Sequence, residues 1–150
     1  MNNVFDKQTI EKIIERIEKL NSESKPNWGK MNAPKMLAHC SAIYDTILDE
    51  SAPRAKGIKK WLMKKFVKPI VVGPKPYPKN GRTAPEFIIN NEREFEKEKT
   101  KLIAHIINTQ QQGAAHFKEL ETPNFGHLDE SEWNTLFYKH IDHHLNQFGV

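Results

Sequence analysis

Residues 129–149 read DESEWNTLFYKHIDHHLNQFG. Trp133, Leu136, Phe137, His140, Ile141, His144, Leu145 and Phe148 recur at spacings of three and four, which puts them on one face of a helix. Asp129 and Glu132 form a capping box at its start, and Gly149 supplies its stop. Two imidazoles, His140 and His144, thus lie one turn apart on the face that packing should bury. Cβ atoms at this spacing are about 6 Å apart, so both rings can hold one metal ion. The plain alternative is a pair of core-edge histidines bonded to backbone or water, because seven histidines in 150 residues produce such a spacing by chance.

Upstream, the pattern repeats without histidine pairs. Ile10, Ile13, Ile14, Ile17 and Leu20 predict a first helix from about Asp6 to Leu20, with Asp6 as N-cap. Asn32 caps a second helix, Pro34 falls in its first turn, and Met36, Leu37, Cys40, Ile43, Tyr44 and Ile47 form its stripe before Pro53. His39 stands at the edge of that stripe. If this helix neighbours the last one, His39 faces the His140–His144 pair, and three neutral imidazoles leave coordination positions open, as in a catalytic rather than a structural site. A third long helix is expected over about 90–112, with Phe95, Leu102, Ile103, Ile106 and Ile107 buried and Gly113 at its end. Glu94–Lys97, Glu96–Lys99 and Glu98–Lys101 are expected as surface pairs along it. Asp142, off the His140–His144 face, is not assignable as a general base. Cys40 reads as a buried apolar cysteine. His143 reads as solvent-facing or as a support to the pair, and His105, His116 and His127 as surface or linker residues.

Four long amphipathic helices and no run of period-two alternation predict an all-α fold, a four-helix bundle over a single domain of residues 1–150. Hydrophobic residues are 37% and charged residues 28%, ordinary for a water-soluble domain. No apolar run spans a membrane, MNNVFDKQTIEK lacks the pattern of a signal peptide, and the single cysteine excludes an internal disulfide, so a cytoplasmic setting is expected. The net charge of +4 is unevenly spread. Residues 51–85 carry ten Lys and Arg and no Asp or Glu, leaving −6 on the rest of the chain. Within this basic crossover, 57–67 reads as a short amphipathic helix, 69–85 as an extended proline-rich segment, and Ile70–Val72 as a possible short strand. The crossover is long enough to traverse the bundle, which permits an up-down-down-up order.

Three segments carry a resemblance: WGKMNAPKMLAHC at 28–40, PNFGHLDESEW at 123–133 and KHIDHHLNQFG at 139–149. Together they resemble an uncharacterised branch, a domain of unknown function, of the DinB/YfiT-like superfamily. The superfamily pattern HxxxHxxQ is met by His140, His144 and Gln147, and its helix-two histidine falls on His39. The resemblance implies an up-down-down-up four-helix bundle, a divalent metal held by His39, His140 and His144, and a homodimer. It also implies a metal-dependent hydrolase or a transferase that uses a low-molecular-weight thiol. The branch often has His where this chain has Thr122; His127, five residues on, is one candidate substitute.

The leading expectation is therefore a metal-dependent enzyme acting on a small molecule, with Zn, Ni or Fe as the cation and Gln147 orienting a ligand or a metal-bound group. Lys59, Lys60, Lys64 and Lys65 would attract the carboxylates of a thiol. Two other readings stand beside it. One is a binding module whose basic 54–82 segment, with Trp61 and Phe66, contacts an anionic partner; the absence of a recognition helix speaks against nucleic acid. The other is a bundle that kept the fold and lost catalysis.

Overall fold

Residues 2–150 are described by a computed structural model. They are mostly helical, with α1 (Lys7–Glu18), α2 (Ala33–Leu48), α3 (Gly57–Leu62), α4 (Lys68–Val72), α5 (Phe95–Lys118) and α6 (Glu130–Gln147). A π-turn, Met63–Val67, joins α3 to α4, a 3₁₀ turn spans Pro85–Phe87, and a small antiparallel hairpin pairs β1 (Glu121–Thr122) with β2 (Gly126–His127).

α2 and α6 start where the sequence says they should. Asn32 accepts a hydrogen bond from the Lys35 amide, and the reciprocal Asp129–Glu132 capping box is formed in full. Each satisfies amides that the first turn of a helix leaves orphaned. Asp6 holds the N-cap position of α1 but makes no side-chain cap bond. α1, α2, α5 and α6 pack on one another, with the closest association between α2 and α5. Ile17, Met36, Leu37, Leu102, Trp133, Phe137 and Leu145 are the buried centre. Tyr44 stacks on Phe137 at 4.9 Å, and Phe117 meets both Trp133 and Phe137 within 5.5 Å. Such aromatic pairs add about 0.5–1.5 kcal/mol each beyond their burial.

Several boundaries depart from the sequence reading. α5 begins at Phe95, not near residue 90, because the preceding acidic and basic side chains serve other contacts: Glu92 pairs with Lys35 and Arg93 with Glu98. The three pairs expected along α5 do not form. Lys99 instead reaches Glu18 of α1 and Lys101 reaches Asp45 of α2 at 2.6 Å. Neighbouring helices thus capture charges that an isolated helix would pair locally. Gly113 does break the helical backbone, at φ 71° and ψ 168°, yet the helix resumes and runs to Lys118. Burial of Phe117 in the aromatic centre rewards that extra turn.

The segment 68–72 is helical rather than extended, and Ile70–Val72 is not a strand. Pro69 did not end the preceding helix; the chain widened instead. The Lys68 amide donates to Met63 five residues back, a π spacing that relieves the clash between a proline ring and the carbonyl four residues before it. The hairpin at 121–127 has no period-two signature because each strand is two residues long. It is held by Thr122, whose buried hydroxyl donates to the Gly126 carbonyl and accepts from the Phe125 amide.

The basic crossover is tied to α6. Lys139, 7% exposed, donates to the carbonyls of Ile70 at 2.6 Å and Gly73 at 2.8 Å, and its ammonium lies 4.6 Å from the Tyr77 ring centroid. Lys68 pairs with Glu132 at 2.7 Å. Among the described residues, no helix is long and apolar enough to cross a membrane.

Candidate metal centre

α2 and α6 bring His39, His140 and His144 together. One ring nitrogen from each lies within 4.8 Å of the others, and no carboxylate or thiolate belongs to the group. The His39 and His140 Nε2 atoms are 3.0 Å apart, and the ring centroids of all three pairs fall between 4.8 and 4.9 Å. His39 and His144 are 6% and 7% exposed, and His140 is partly buried.

Hydrogen bonds decide which nitrogens face inward. His39 Nδ1 lies 2.9 Å from the Phe87 carbonyl, which can only accept, so Nδ1 carries the proton and Nε2 offers a lone pair. A longer chain of the same logic sets His144. The Trp28 carbonyl accepts from Gln147 Nε2 at 2.7 Å, which turns the Gln147 oxygen toward His144. That oxygen, 2.8 Å from His144 Nδ1, must accept, so His144 Nε2 is also left unprotonated. Without a cation, the His140–His39 contact then needs the proton on His140 Nε2. Two nitrogens bound at about 2.0–2.1 Å to a tetrahedral ion sit roughly 3.3 Å apart. The observed 3.0 Å between His39 and His140 is close to that separation, and the three ligand atoms all lie within 4.8 Å of one another.

Electrostatics favour the neutral, ligating form. Burial lowers the pKa of His39 against the opposing pull of the Phe87 carbonyl. Burial first, then the neighbouring imidazoles, puts His140 well below its ordinary value. His144 is lowered to about 3, by burial first and then by His39, despite the Gln147 bond. Protonating any ring would bury a cation beside like-charged neighbours with no carboxylate to pair it. A divalent ion needs three unprotonated nitrogens; His39 and His144 supply theirs in advance, and His140 gives up its Nε2 proton when the ion binds.

The remaining sequence candidates divide clearly. Gln147 is buried, and its amide bridges the Trp28 carbonyl and the His144 ring. Gly29 permits that contact, since a Cβ there would lie 2.5 Å from Gln147 Nε2 and its φ is +83°. Asp142 pairs with Arg16 at 2.7 Å. Cys40 is 1% exposed, and burial pushes its thiol pKa up, as expected of an apolar core cysteine. His143 is half-buried, set edge-on between the Trp28 and Tyr77 rings and against His144. His127 does not substitute for Thr122 at the histidine group: it pairs with Glu121 across the hairpin at 3.1 Å and stands exposed. His105 bonds Asp45 at 3.0 Å and stacks on Tyr44, and exposed His116 meets Phe117 edge-on. Phe87 is the member that sequence reasoning missed, and no residue pattern could have found it, because it acts through its backbone carbonyl. The Trp28–Gly29 loop was visible only as part of the WGK resemblance.

Two hollows are lined by residues that touch the group, Phe87 in one and Trp28 and His143 in the other, though by none of the three histidines. The larger, about 420 Å³, is lined by Phe87 together with Asp45, Asp49, Glu86 and Lys59. The smaller, about 210 Å³, lies along Trp28, Tyr77, Lys79, Lys139 and His143. A family model described as a protein of unknown function (DUF1569) matches residues 4–149. No curated protein and no solved structure matches the chain.

Proposed function

We propose, for a chain that belongs to the DUF1569 family of proteins of unknown function, that His39, His140 and His144 hold one divalent cation in a metal-dependent enzyme acting on a small molecule. The observation carrying this reading is the convergence of three neutral imidazoles, two with their inward nitrogens stripped of protons by fixed acceptors. The four long helices read as an up-down-down-up bundle of the DinB/YfiT-like kind, one domain throughout, with the histidines between the second and last of them. An all-imidazole set suits Zn, Ni or Fe.

When bound, such a cation supplies Lewis acidity and a nucleophile at neutral pH. The chain's own residues do the rest. Phe87 and Gln147 hold two rings in the ligating tautomer, and packing of α2 against α6 sets the spacing. The larger hollow sets Asp49 and Glu86 near Lys59, with Asp45 already held by Lys101, which suits a neutral or cationic substrate. A second reading, thiol-dependent transfer, is favoured by the smaller hollow, where Lys79 lies over the Trp28 ring, Lys139 is already held by two carbonyls, and Asp142 is held by Arg16. The carboxylate of a low-molecular-weight thiol would settle there rather than on Lys59, Lys60, Lys64 and Lys65.

Metal analysis of protein purified without a histidine tag tests the reading. Stoichiometric metal that is lost in His140→Ala and His144→Ala, with helical circular dichroism retained, is expected. Metal-free protein whose stability is the same in both variants overturns it. With metal present, turnover without added thiol assigns a hydrolase, thiol-dependent consumption of an electrophile assigns a transferase, and neither leaves a metal-binding scaffold.

A further inference from the structure

Residues 57–72 have two opposed faces. Met63, Val67, Val71 and Val72 pack on the core. Ile58, Trp61, Leu62, Phe66 and Ile70 turn outward and are 78%, 54%, 43%, 56% and 56% exposed. They account for five of the seven large hydrophobic side chains exposed among the described residues. The π-turn keeps Ile58, Leu62, Phe66 and Ile70, each four residues from the last, in one row. Trp61 and Phe66 meet edge-on at 6.4 Å, and the Lys65 ammonium lies 4.7 Å from the Trp61 ring centroid.

Basic side chains border this row. Lys56, Lys59, Lys64 and Lys65 are exposed beside it, and no acidic residue occurs from Ser51 to Pro85. Lys68 is the exception, paired with Glu132 on the inner side. We propose that this face docks on an anionic phospholipid surface, its apolar row entering the acyl boundary and its lysines meeting the headgroup phosphates. Three partners compete for such a face, and charge separates them. A second copy related by a two-fold axis would set the four bordering lysines against four of the same sign. Nucleic acid would satisfy the lysines and leave Ile58, Leu62 and Ile70 in water. An anionic bilayer satisfies both halves at once, with Trp61 suited to the interface. Its occupancy is independent of the histidine group, whose residues lie on α2 and α6.

Flotation with vesicles of phosphatidylcholine containing about one-third phosphatidylglycerol tests the proposal, against phosphatidylcholine alone and across salt concentrations near 0.1 M, where exposed charges are screened beyond about 10 Å. Binding only to the anionic vesicles, weakened by salt and accompanied by a blue shift of tryptophan emission that Trp61→Phe removes, is expected. The triple variant Lys56→Gln, Lys64→Gln, Lys65→Gln should lose roughly a hundredfold in partitioning, at about fivefold per lysine. Trp61→Ser with Phe66→Ser should lose roughly tenfold or more per residue. Both variants should keep the wild-type circular dichroism and metal content, since they alter exposed side chains only. No binding at low salt, or equal binding to both vesicle types, overturns the proposal. So does a dimer in sedimentation that the Trp61→Ser, Phe66→Ser variant dissociates, or retention on DNA that this variant leaves unchanged while vesicle binding is absent.

Discussion

Trp28 reaches the histidine group through its backbone carbonyl, not its ring. That carbonyl orients Gln147, Gln147 orients His144, and the inward nitrogen of His144 is left bare. Outer hydrogen bonds of this kind raise ligand basicity and hold the ring in place, and losing one commonly lowers metal affinity about 10–100-fold. Gln147→Leu should therefore lower Zn²⁺ affinity by that factor without loss of helix, measured by competition with a chromophoric chelator. Gly29→Ala should do the same by a different route. Its Cβ would meet Gln147 Nε2 at 2.5 Å and its backbone would be held at φ +83°, so the loop must retreat and release the amide. Affinity equal to wild type in both variants would show that the relay does not matter to the site. HxxxHxxQ was legible in the sequence as a pattern, and Gln147 reads there as orienting a ligand or a metal-bound group. Only the carbonyl on the facing loop shows that it aims at a histidine.

Lys139 does for the crossover what Gln147 does for the histidine. Its ammonium closes two carbonyls at the end of α4 and lies on the Tyr77 ring, so a proline-rich segment rich in like charge is pinned to α6. Burial lowers its pKa, and the carbonyls replace the water it gives up. Lys139→Met should release residues 68–77 and cost about 1.5–3 kcal/mol, the range for hydrogen bonds to a charged group. Amide exchange should accelerate in that segment and stay unchanged in α1 and α2; uniform acceleration, or none, would contradict a local clamp. Element starts were legible wherever a side chain caps its own helix, as at Asn32 and Asp129. Element ends were less so. Gly113 and Pro69 are breakers in an isolated chain, yet burial of Phe117 and a π-turn carried helix past both.

Across the molecule, the three buried imidazoles tie stability to pH. Their pKa values are lower in the folded chain than the ordinary 6.5, so the unfolded chain takes up protons first as pH falls. Stability is then full above about 6.5 and is lost as pH drops through that value, continuing for His144 toward about 3. Each histidine that is charged only in the unfolded chain contributes a slope of about 1.4 kcal/mol per pH unit. Urea titrations of metal-free protein between pH 7 and 5 should show this loss, and His140→Ala with His144→Ala should flatten it. A wild-type profile without slope would mean that the rings are protonated in the fold. Zn²⁺ at a hundredfold excess over its dissociation constant should add about 2.7 kcal/mol at neutral pH, and much less at pH 5, where protons compete for the same nitrogens. By itself the sequence determined the helical class, the capped starts of α2 and α6, the apolar stripes and the nomination of His39, His140 and His144. Each follows from spacing within one element, and helical periodicity is local. The tertiary structure alone decided that α2 faces α6, that a carbonyl at Phe87 and another at Trp28 set the tautomers, and that Lys139 pins the crossover. It also decided which side of 57–72 stays in water. Those contacts join residues as many as 119 apart, through backbone atoms that every residue carries alike, so no pattern of side chains could announce them.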